Sequence, residues 1–100
     1  MIIYNVTVNV DDSIHDEWLK WMKEVHIPDV MKTGMFKEYR LCKVLSDEDS
    51  GRTYSFQYVC DNMDMFEKYR NEFSPALRKQ VTEKFGDKFV AFRTLLEVIE

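Results

Sequence analysis

The sequence contains few of the residues that interrupt or cross-link a chain: three glycines, two prolines and two cysteines among 100 residues. It has no Pro/Gly/Ser-rich linker, internal repeat or low-complexity run, so we expect residues 1–100 to form a single domain. The two cysteines, Cys42 and Cys60, are too few for a disulfide scaffold and are expected to be free thiols.

Several functional classes are also excluded by what is missing. There is no basic excess, since 14 basic residues are set against 18 acidic ones, and a nucleic-acid partner is not expected. No apolar run approaches the ~20 residues that span a bilayer, and the first residues lack the layout of a signal peptide. We therefore expect a cytoplasmic protein with no membrane partner.

Metal binding is not expected either. His15 and His26 lie on the same flank of the first predicted helix, but 11 residues at ~1.5 Å rise place them ~16 Å apart, too far to share an ion. No other set of His, Cys and carboxylate residues has ligand spacing. We predict no metal and no cofactor.

The first ten residues alternate between two kinds of side chain. The even positions are apolar, and the odd positions from Asn5 onward are polar but uncharged, which predicts a strand with two different faces. The apolar face suits a layer of helices. The second face is too polar for a dry core yet lacks the charge of a strand open to water. We expect it to look into a cavity shared by two copies of the chain.

Two amphipathic helices are predicted. The first follows Asp11, with Ser13 and Asp16 resembling a capping box, and Pro28 is predicted to end it. The second is capped by Asp61 or Asn62 and runs to residue 73. Ser74 and Pro75 are then typical of a fresh helix start, and Gly86 of its end.

Three more strands are predicted at residues 36–45, 53–60 and 88–99, the first two joined by a hairpin loop at residues 46–51. The order β-α-β-β-α-β predicts an α+β, ferredoxin-like fold, an antiparallel sheet with both helices on one face. In the last strand, the even positions from Val90 are assigned to the helix side. The side chains predicted for the uncovered sheet face are Asn5, Thr7, Asn9, Phe36, Glu38, Arg40, Val44, Ser55, Gln57, Val59, Arg93, Leu95, Glu97 and Ile99.

Three segments carry a family resemblance: the opening Met-Ile-Ile-Tyr-Asn-Val-Thr, residues 18–28, and the hairpin strand Tyr-Ser-Phe-Gln-Tyr at residues 54–58. With them the chain resembles a family of small bacterial proteins of unknown function within the dimeric α+β barrel superfamily, which includes monooxygenases of antibiotic biosynthesis. The resemblance covers nearly the whole chain, and its motifs are structural rather than catalytic. It implies a homodimer in which two uncovered sheet faces enclose a pocket.

His26 and Arg93 are the main candidate site residues. A histidine at a helix C-terminus can cap the helix, or it can aim its ring into a cleft as an acid or base. A guanidinium on the uncovered sheet face needs a carboxylate or an anionic ligand, and a salt bridge within the dimer interface is the competing interpretation.

Three functions remain open at this stage. The preferred one is a homodimer that binds a small polar or anionic molecule between its sheet faces, through Arg93, Gln57, Asn5, Trp21 and Arg40. The second is a cofactor-independent monooxygenase or isomerase that uses His26 as its base. The third is a structural or interaction module without a ligand.

Overall fold

The computed structural model of the chain describes residues 1–45 and 52–100, so the predicted hairpin loop at 46–51 lies outside the described residues. Four antiparallel strands form one sheet in the order β2-β3-β1-β4. The elements are β1 (Ile2–Val10), α1 (His15–Trp21), α2 (Ile27–Lys32), β2 (Glu38–Lys43), β3 (Arg52–Cys60), α3 (Met63–Lys68), α4 (Ser74–Phe85) and β4 (Phe89–Glu97). This confirms the ferredoxin-like α+β prediction, with the first and third strands central.

The first helix does not end at Pro28, and that prediction was wrong. α1 continues through a π-helical turn, Met22–His26, directly into α2. The amide of Ile27 bonds to the carbonyl of Met22, five residues back. Proline disrupts a helix because it lacks an N–H and its ring crowds the carbonyl four residues earlier. A wider π turn just before Pro28 changes which carbonyls face the ring, so the helix continues.

The second helical run uses the same arrangement. α3 passes through a π-helical turn, Tyr69–Phe73, into α4, where the amide of Ser74 bonds to the carbonyl of Tyr69. The predicted fresh start at Ser74 is thus a continuous helix with Pro75 in the first turn of α4. Asn62 caps α3 by accepting from the Met65 amide at 3.0 Å, and Gly86 ends α4 with φ of 62°, both as predicted.

At the other helix start the cap differs from the prediction. The Asp11 carboxylate, not the Ser13 hydroxyl, closes the short 3₁₀ turn Asp12–Ile14 by accepting from the Ser13 amide at 2.8 Å. The buried His15 follows, and its ring joins the Tyr54 hydroxyl at 2.6 Å and the Asp16 carboxylate at 2.8 Å. These bonds satisfy a buried polar ring and tie the start of α1 to β3.

An aromatic core fills the space between the helices and the sheet. Tyr4 of β1 lies at its centre, with ring contacts to Phe36, Tyr58, Phe66 and Tyr69 at centroid distances of 5.0 to 6.3 Å. Phe36 is only 4% exposed, so its predicted place on the uncovered face was wrong. Phe36 precedes β2, so its side chain does not have to follow the alternation of faces along that strand.

The faces of β4 are the reverse of the prediction. Pairing with β1 places Arg93 opposite Val6 and Ala91 opposite Val8, so the odd positions of β4 face the helices. Phe92 faces the other way and is 65% exposed. The prediction failed because both sides of this edge strand carry apolar residues, and the more apolar side was assigned to the core. Arg93, Leu95 and Glu97 therefore do not belong to the uncovered face.

The other strands face as predicted. Leu41 pairs with Phe56 and Arg40 with Gln57, so Arg40 and Cys42 lie on the uncovered face. Cys60 belongs to the helix-facing side of β3, and both cysteines are free. No helix among residues 1–45 and 52–100 is long and apolar enough to cross a membrane.

Candidate functional site

A cavity of about 240 Å³ lies between the helices and the sheet, within a single copy of the chain. Its floor comes from β1, β3 and β4, and its walls from the two helical runs. The lining residues are Tyr4, Val6, Val8, Trp18, Met22, His26, Phe56, Tyr58, Tyr69, Arg78, Val81, Thr82, Phe89, Ala91 and Arg93. Most of this surface is aromatic or aliphatic, and the few polar groups converge on the same space, as in ligand pockets generally.

His26 enters this cavity from the π-helical turn between α1 and α2. It is therefore inside a continuous helical run and does not cap a helix end. The Trp21 ring stacks on it with centroids 6.0 Å apart. Burial lowers the pKa of His26 to about 4, with a smaller opposing effect of Asp29 and a further lowering by the Arg93 charge. At neutral pH the imidazole is uncharged, so one ring nitrogen can accept a proton or a hydrogen bond.

Arg93 reaches the same cavity from β4. Its Nε donates a hydrogen bond to the Tyr4 hydroxyl at 3.1 Å, which orients the guanidinium and leaves its terminal nitrogens for other acceptors. Among the described residues Arg93 has no carboxylate partner within ion-pair distance. Its positive charge and the uncharged His26 ring line one cavity.

Three buried polar atoms without hydrogen-bond partners lie in residues that line this cavity. Within residues 1–45 and 52–100, the only buried side-chain nitrogen or oxygen atoms of this kind are Trp18 Nε1, His26 Nδ1 and Tyr58 OH. Trp18 is completely buried and Tyr58 is 2% exposed. Leaving such a group unpaired costs about 1–3 kcal/mol, and protein interiors rarely tolerate it. All three belong to residues that line one cavity, so this is the least satisfied part of the described core.

Two tyrosines of the cavity, Tyr58 and Tyr69, are held in their neutral form. Burial raises the pKa of Tyr58, and the neighbouring Tyr69 and Tyr4 hydroxyls raise it further. Burial also raises the pKa of Tyr69 above its usual value. Neutral phenols can both donate and accept hydrogen bonds. The cavity therefore presents hydroxyl donors beside the cationic Arg93.

The predicted site residues separate into two groups on opposite faces of the sheet. Trp21 contacts His26, and His26 and Arg93 line the cavity, whereas Asn5, Gln57 and Arg40 lie on the uncovered face. Alternate positions of a strand point to opposite faces, so these two groups cannot contact one molecule within a single copy. The predicted grouping of all of them around one ligand was wrong.

The polar groups of the uncovered face already bond to one another. The Ser55 hydroxyl donates to Asn5 Oδ1 at 2.6 Å, and Asn5 Nδ2 donates to the Thr7 hydroxyl at 3.1 Å. Gln57 Nε2 donates to the Ser55 hydroxyl at 3.4 Å. This network joins side chains of β1 and β3.

Sequence reasoning missed Arg78, and it treated Trp18, Tyr58 and Tyr69 only as core. One signal for Arg78 was present. On a helix of 3.6 residues per turn, a residue four after the buried Ser74 and three before the buried Val81 shares their face. Arg78 interrupts the apolar side of α4, where a long side chain can pack its stem on apolar surface and keep its charge in water.

The described residues contain no group of three or more His, Cys, Asp or Glu side chains placed to hold a metal ion. The polar groups of the cavity are arginine, tyrosine, tryptophan and histidine side chains, most of them donors. Such a set suits an anionic or hydrogen-bond-accepting organic molecule.

A family model described as a domain of unknown function, DUF4286, matches residues 1–99. The chain belongs to this family. No curated protein shows significant similarity to the sequence. Membership accounts for the resemblance carried by the opening strand, residues 18–28 and the β3 segment.

Solved structures share the fold at low sequence identity. A variant of MhuD with two manganese protoporphyrin IX molecules bound per active site has 16% identity and a TM-score of 0.73, covering 100% of this chain and 96% of that one. A dimeric ferredoxin-like protein from an uncultured marine organism has 17% identity and a TM-score of 0.72, covering 99% and 94%. A variant of SnoaB, a cofactor-independent oxygenase from Streptomyces nogalater, has 12% identity and a TM-score of 0.70, also covering 99% and 94%. These likenesses show the fold.

Proposed function

We propose that this protein binds a small organic anion with a flat apolar body in the cavity between its helices and its sheet. One observation carries the proposal: Trp18, His26 and Tyr58, which hold the unpartnered buried polar atoms of the described residues, line the same cavity as Arg93. A bound anion would pair with the guanidinium, and the three atoms, which have almost no accessible surface, would gain ligand partners once neighbouring side chains shift. The sheet-face pocket predicted from the sequence is not needed for this binding.

The surroundings indicate the shape of the ligand. Trp18 packs against Tyr54 and edge-on against Phe56, with centroids 5.5 and 5.8 Å apart, which forms a rigid aromatic wall. A volume of about 240 Å³ is below the ~300–1,000 Å³ common for drug-sized ligands, so a compact molecule fits better than an extended one. Aromatic walls favour a planar, conjugated body, and Arg93 favours a carboxylate or another oxyanion.

The second candidate is a cofactor-independent oxygenase or isomerase. Its specific support is His26, whose ring lines the same cavity as Arg93 and is neutral across the physiological range. A pKa of about 4 makes this ring a weak base, so proton removal would depend on Arg93 stabilising the anion that forms. His26 would remove a proton from an acidic C–H or O–H group, and Arg93 would stabilise the resulting anion. The name of the similar SnoaB, a cofactor-independent oxygenase, is compatible with this chemistry.

We also propose a homodimer formed through the uncovered sheet face. That face combines the bonded polar network of β1 and β3 with the exposed apolar residues Val90, Phe92 and Leu96 of β4, which are 55%, 65% and 45% exposed. A contiguous apolar strip of this kind is typical of an interface. Dimeric ferredoxin-like proteins among the similar structures add support.

Arg93→Gln and Arg40→Gln form a matched pair that tests the location of the site. We expect a thermal-shift screen of small aromatic carboxylates to yield ligands that stabilise the wild-type protein, since binding to the native state raises its melting temperature. Arg93→Gln should reduce this stabilisation strongly, because it removes the charge that faces the cavity. Arg40→Gln, on the opposite face, should leave it unchanged.

The melting temperatures of both variants without ligand serve as the folding control. Loss of ligand stabilisation in Arg40→Gln, with full retention in Arg93→Gln, would move the site to the uncovered face. A screen in which no aromatic anion stabilises the wild-type protein would contradict the binding proposal itself.

A further inference from the structure

A second cavity adjoins the first. It has a volume of about 340 Å³ and shares Tyr4, Tyr69, Arg78 and Arg93 with the first cavity. Its additional lining comes mainly from α3, the second π-helical turn and the end of β4. Four shared residues place the two cavities side by side as two lobes, of which the second has three arginines in its lining and the first has two.

The second lobe is strongly cationic. Arg70, Arg78 and Arg93 all line it, and no Asp or Glu within residues 1–45 and 52–100 lines either lobe. Arg70 bonds to the Glu67 carboxylate, whereas Arg78 and Arg93 have no ion pair among the described residues. The whole chain has a net charge of −4, so the charge of this lobe is opposite in sign to the net charge of the protein. A cleft lined by one sign of charge attracts ligands of the other sign.

The geometry of the lobe provides donors from two directions. Arg70, Ser74 and Arg78 are spaced four residues apart along one helical run, which places them near one another on its surface. Arg93 approaches from β4, on the other side of the lobe. The buried Ser74 hydroxyl bonds to Tyr69 and lowers the pKa of that phenol, against the larger raising effect of burial.

We infer that the ligand is an organic phosphate monoester, with its phosphate in this arginine-lined lobe and its planar group among the aromatic side chains of the first lobe. This inference rests on the proposed function and specifies its substrate class. A single carboxylate is satisfied by one bidentate arginine, whereas a phosphate carries three oxygens and about two negative charges. The guanidinium groups of Arg78 on α4 and Arg93 on β4, together with Arg70, supply several hydrogen-bond donors and positive charges for such a group.

Calorimetric titration with 2-naphthyl phosphate, 2-naphthoate and 2-naphthol tests the inference. The three probes share one ring system and differ only in the group that would enter the arginine-lined lobe. For the wild-type protein we expect the phosphate to bind about tenfold or more tightly than the carboxylate, and the neutral alcohol to bind weakest. Arg78→Gln should remove most of the advantage of the phosphate over 2-naphthoate.

Lys79→Gln is the matched control, because it removes the adjacent positive charge, which pairs with Glu83 on the surface of α4. It should retain the full preference for phosphate. Equal weakening by Lys79→Gln and Arg78→Gln would show a general charge effect and overturn the inference.

Two further outcomes distinguish the phosphate inference from the cavity-binding proposal on which it rests. Binding of 2-naphthoate and 2-naphthol with no gain for the phosphate would overturn the phosphate inference and leave the cavity proposal standing. Failure of all three probes to bind the folded wild-type protein would count against both.

Discussion

His26 is a titratable residue placed where its charged form is unfavourable. It is partly buried between the stacked Trp21 ring and the cavity, and Arg93 lines the same space. Burial is the main cause of its lowered pKa, since a charged imidazole loses hydration there. The same environment disfavours the protonated ring and leaves a neutral ring with one nitrogen that can accept a hydrogen bond. In this cavity the permanent positive charge is therefore on Arg93, and His26 is a neutral hydrogen-bond acceptor.

The pH dependence of stability tests this placement. Between about pH 4 and the ordinary pKa of 6.5, the unfolded chain binds a proton at His26 that the native state does not bind. The free energy of unfolding should therefore be highest above pH 6.5 and fall as the pH drops toward 4, by about 3 kcal/mol from this residue. Urea unfolding of the wild-type protein and of His26→Gln between pH 4 and 7.5 measures the difference.

His26→Gln should show a shallower loss of stability over this range, because glutamine has no proton to gain. His15 is present in both proteins, so its contribution cancels in the comparison. Parallel stability curves for the two proteins would show that His26 titrates normally in the folded state, contrary to its burial.

At the scale of single elements, the sequence predicted strands and helices better than it predicted their faces. β1 was assigned correctly because its apolar and polar residues alternate without exception from Tyr4 to Val10. β4 was not, because apolar residues occupy both sides of it, and only its pairing with β1 decides that Arg93 faces the helices. A one-residue shift in strand pairing reverses every side chain, and local pattern alone does not determine that pairing.

The helices show a second limit of sequence reasoning. Pro28 and Pro75 are valid signals of a helix start or stop, yet here each follows a π-helical turn inside a continuous run. Single π turns are rare and frequently occur at functional sites. His26 and Tyr69, the cavity residues at the end of one π turn and the start of the other, could not have been placed without knowing that both turns exist.

The exposed side of β4 gives a prediction about assembly. Phe92 is 65% exposed and lies opposite Thr7 on the uncovered face. We expect Phe92→Asp to convert a dimer into a monomer, because it places a charge in the proposed apolar interface, while changing the stability of the monomer little. Sedimentation velocity at several protein concentrations measures the change.

Met63→Asp is the control for this variant, since Met63 is 40% exposed at the start of α3, on the helix side of the molecule. It should remain dimeric. A Phe92→Asp protein that stays dimeric, or a wild-type protein that is monomeric at every concentration, would contradict the proposed interface.

At the scale of the whole molecule, one sheet serves two surfaces of different chemistry. Its helix-covered side holds the cavity with His26 and Arg93, and its uncovered side holds the Asn5–Ser55–Gln57 network and the exposed strip of β4. Binding and assembly are thus assigned to opposite faces of β1, β3 and β4. This division was not accessible from the sequence, which placed polar residues of both faces around one ligand.

The most direct test of this division is a ¹H–¹⁵N correlation spectrum recorded with and without 2-naphthoate. Trp18, whose indole Nε1–H is buried without a partner, lines the cavity, and the side-chain amides of Asn5 and Gln57 lie on the opposite face. Trp21→Phe identifies the two indole signals, since the chain has two tryptophans. We predict that the Trp18 indole signal moves on titration while both amide signals stay in place. Movement of the Asn5 and Gln57 amides with an unchanged Trp18 signal would contradict a binding site beneath the helices.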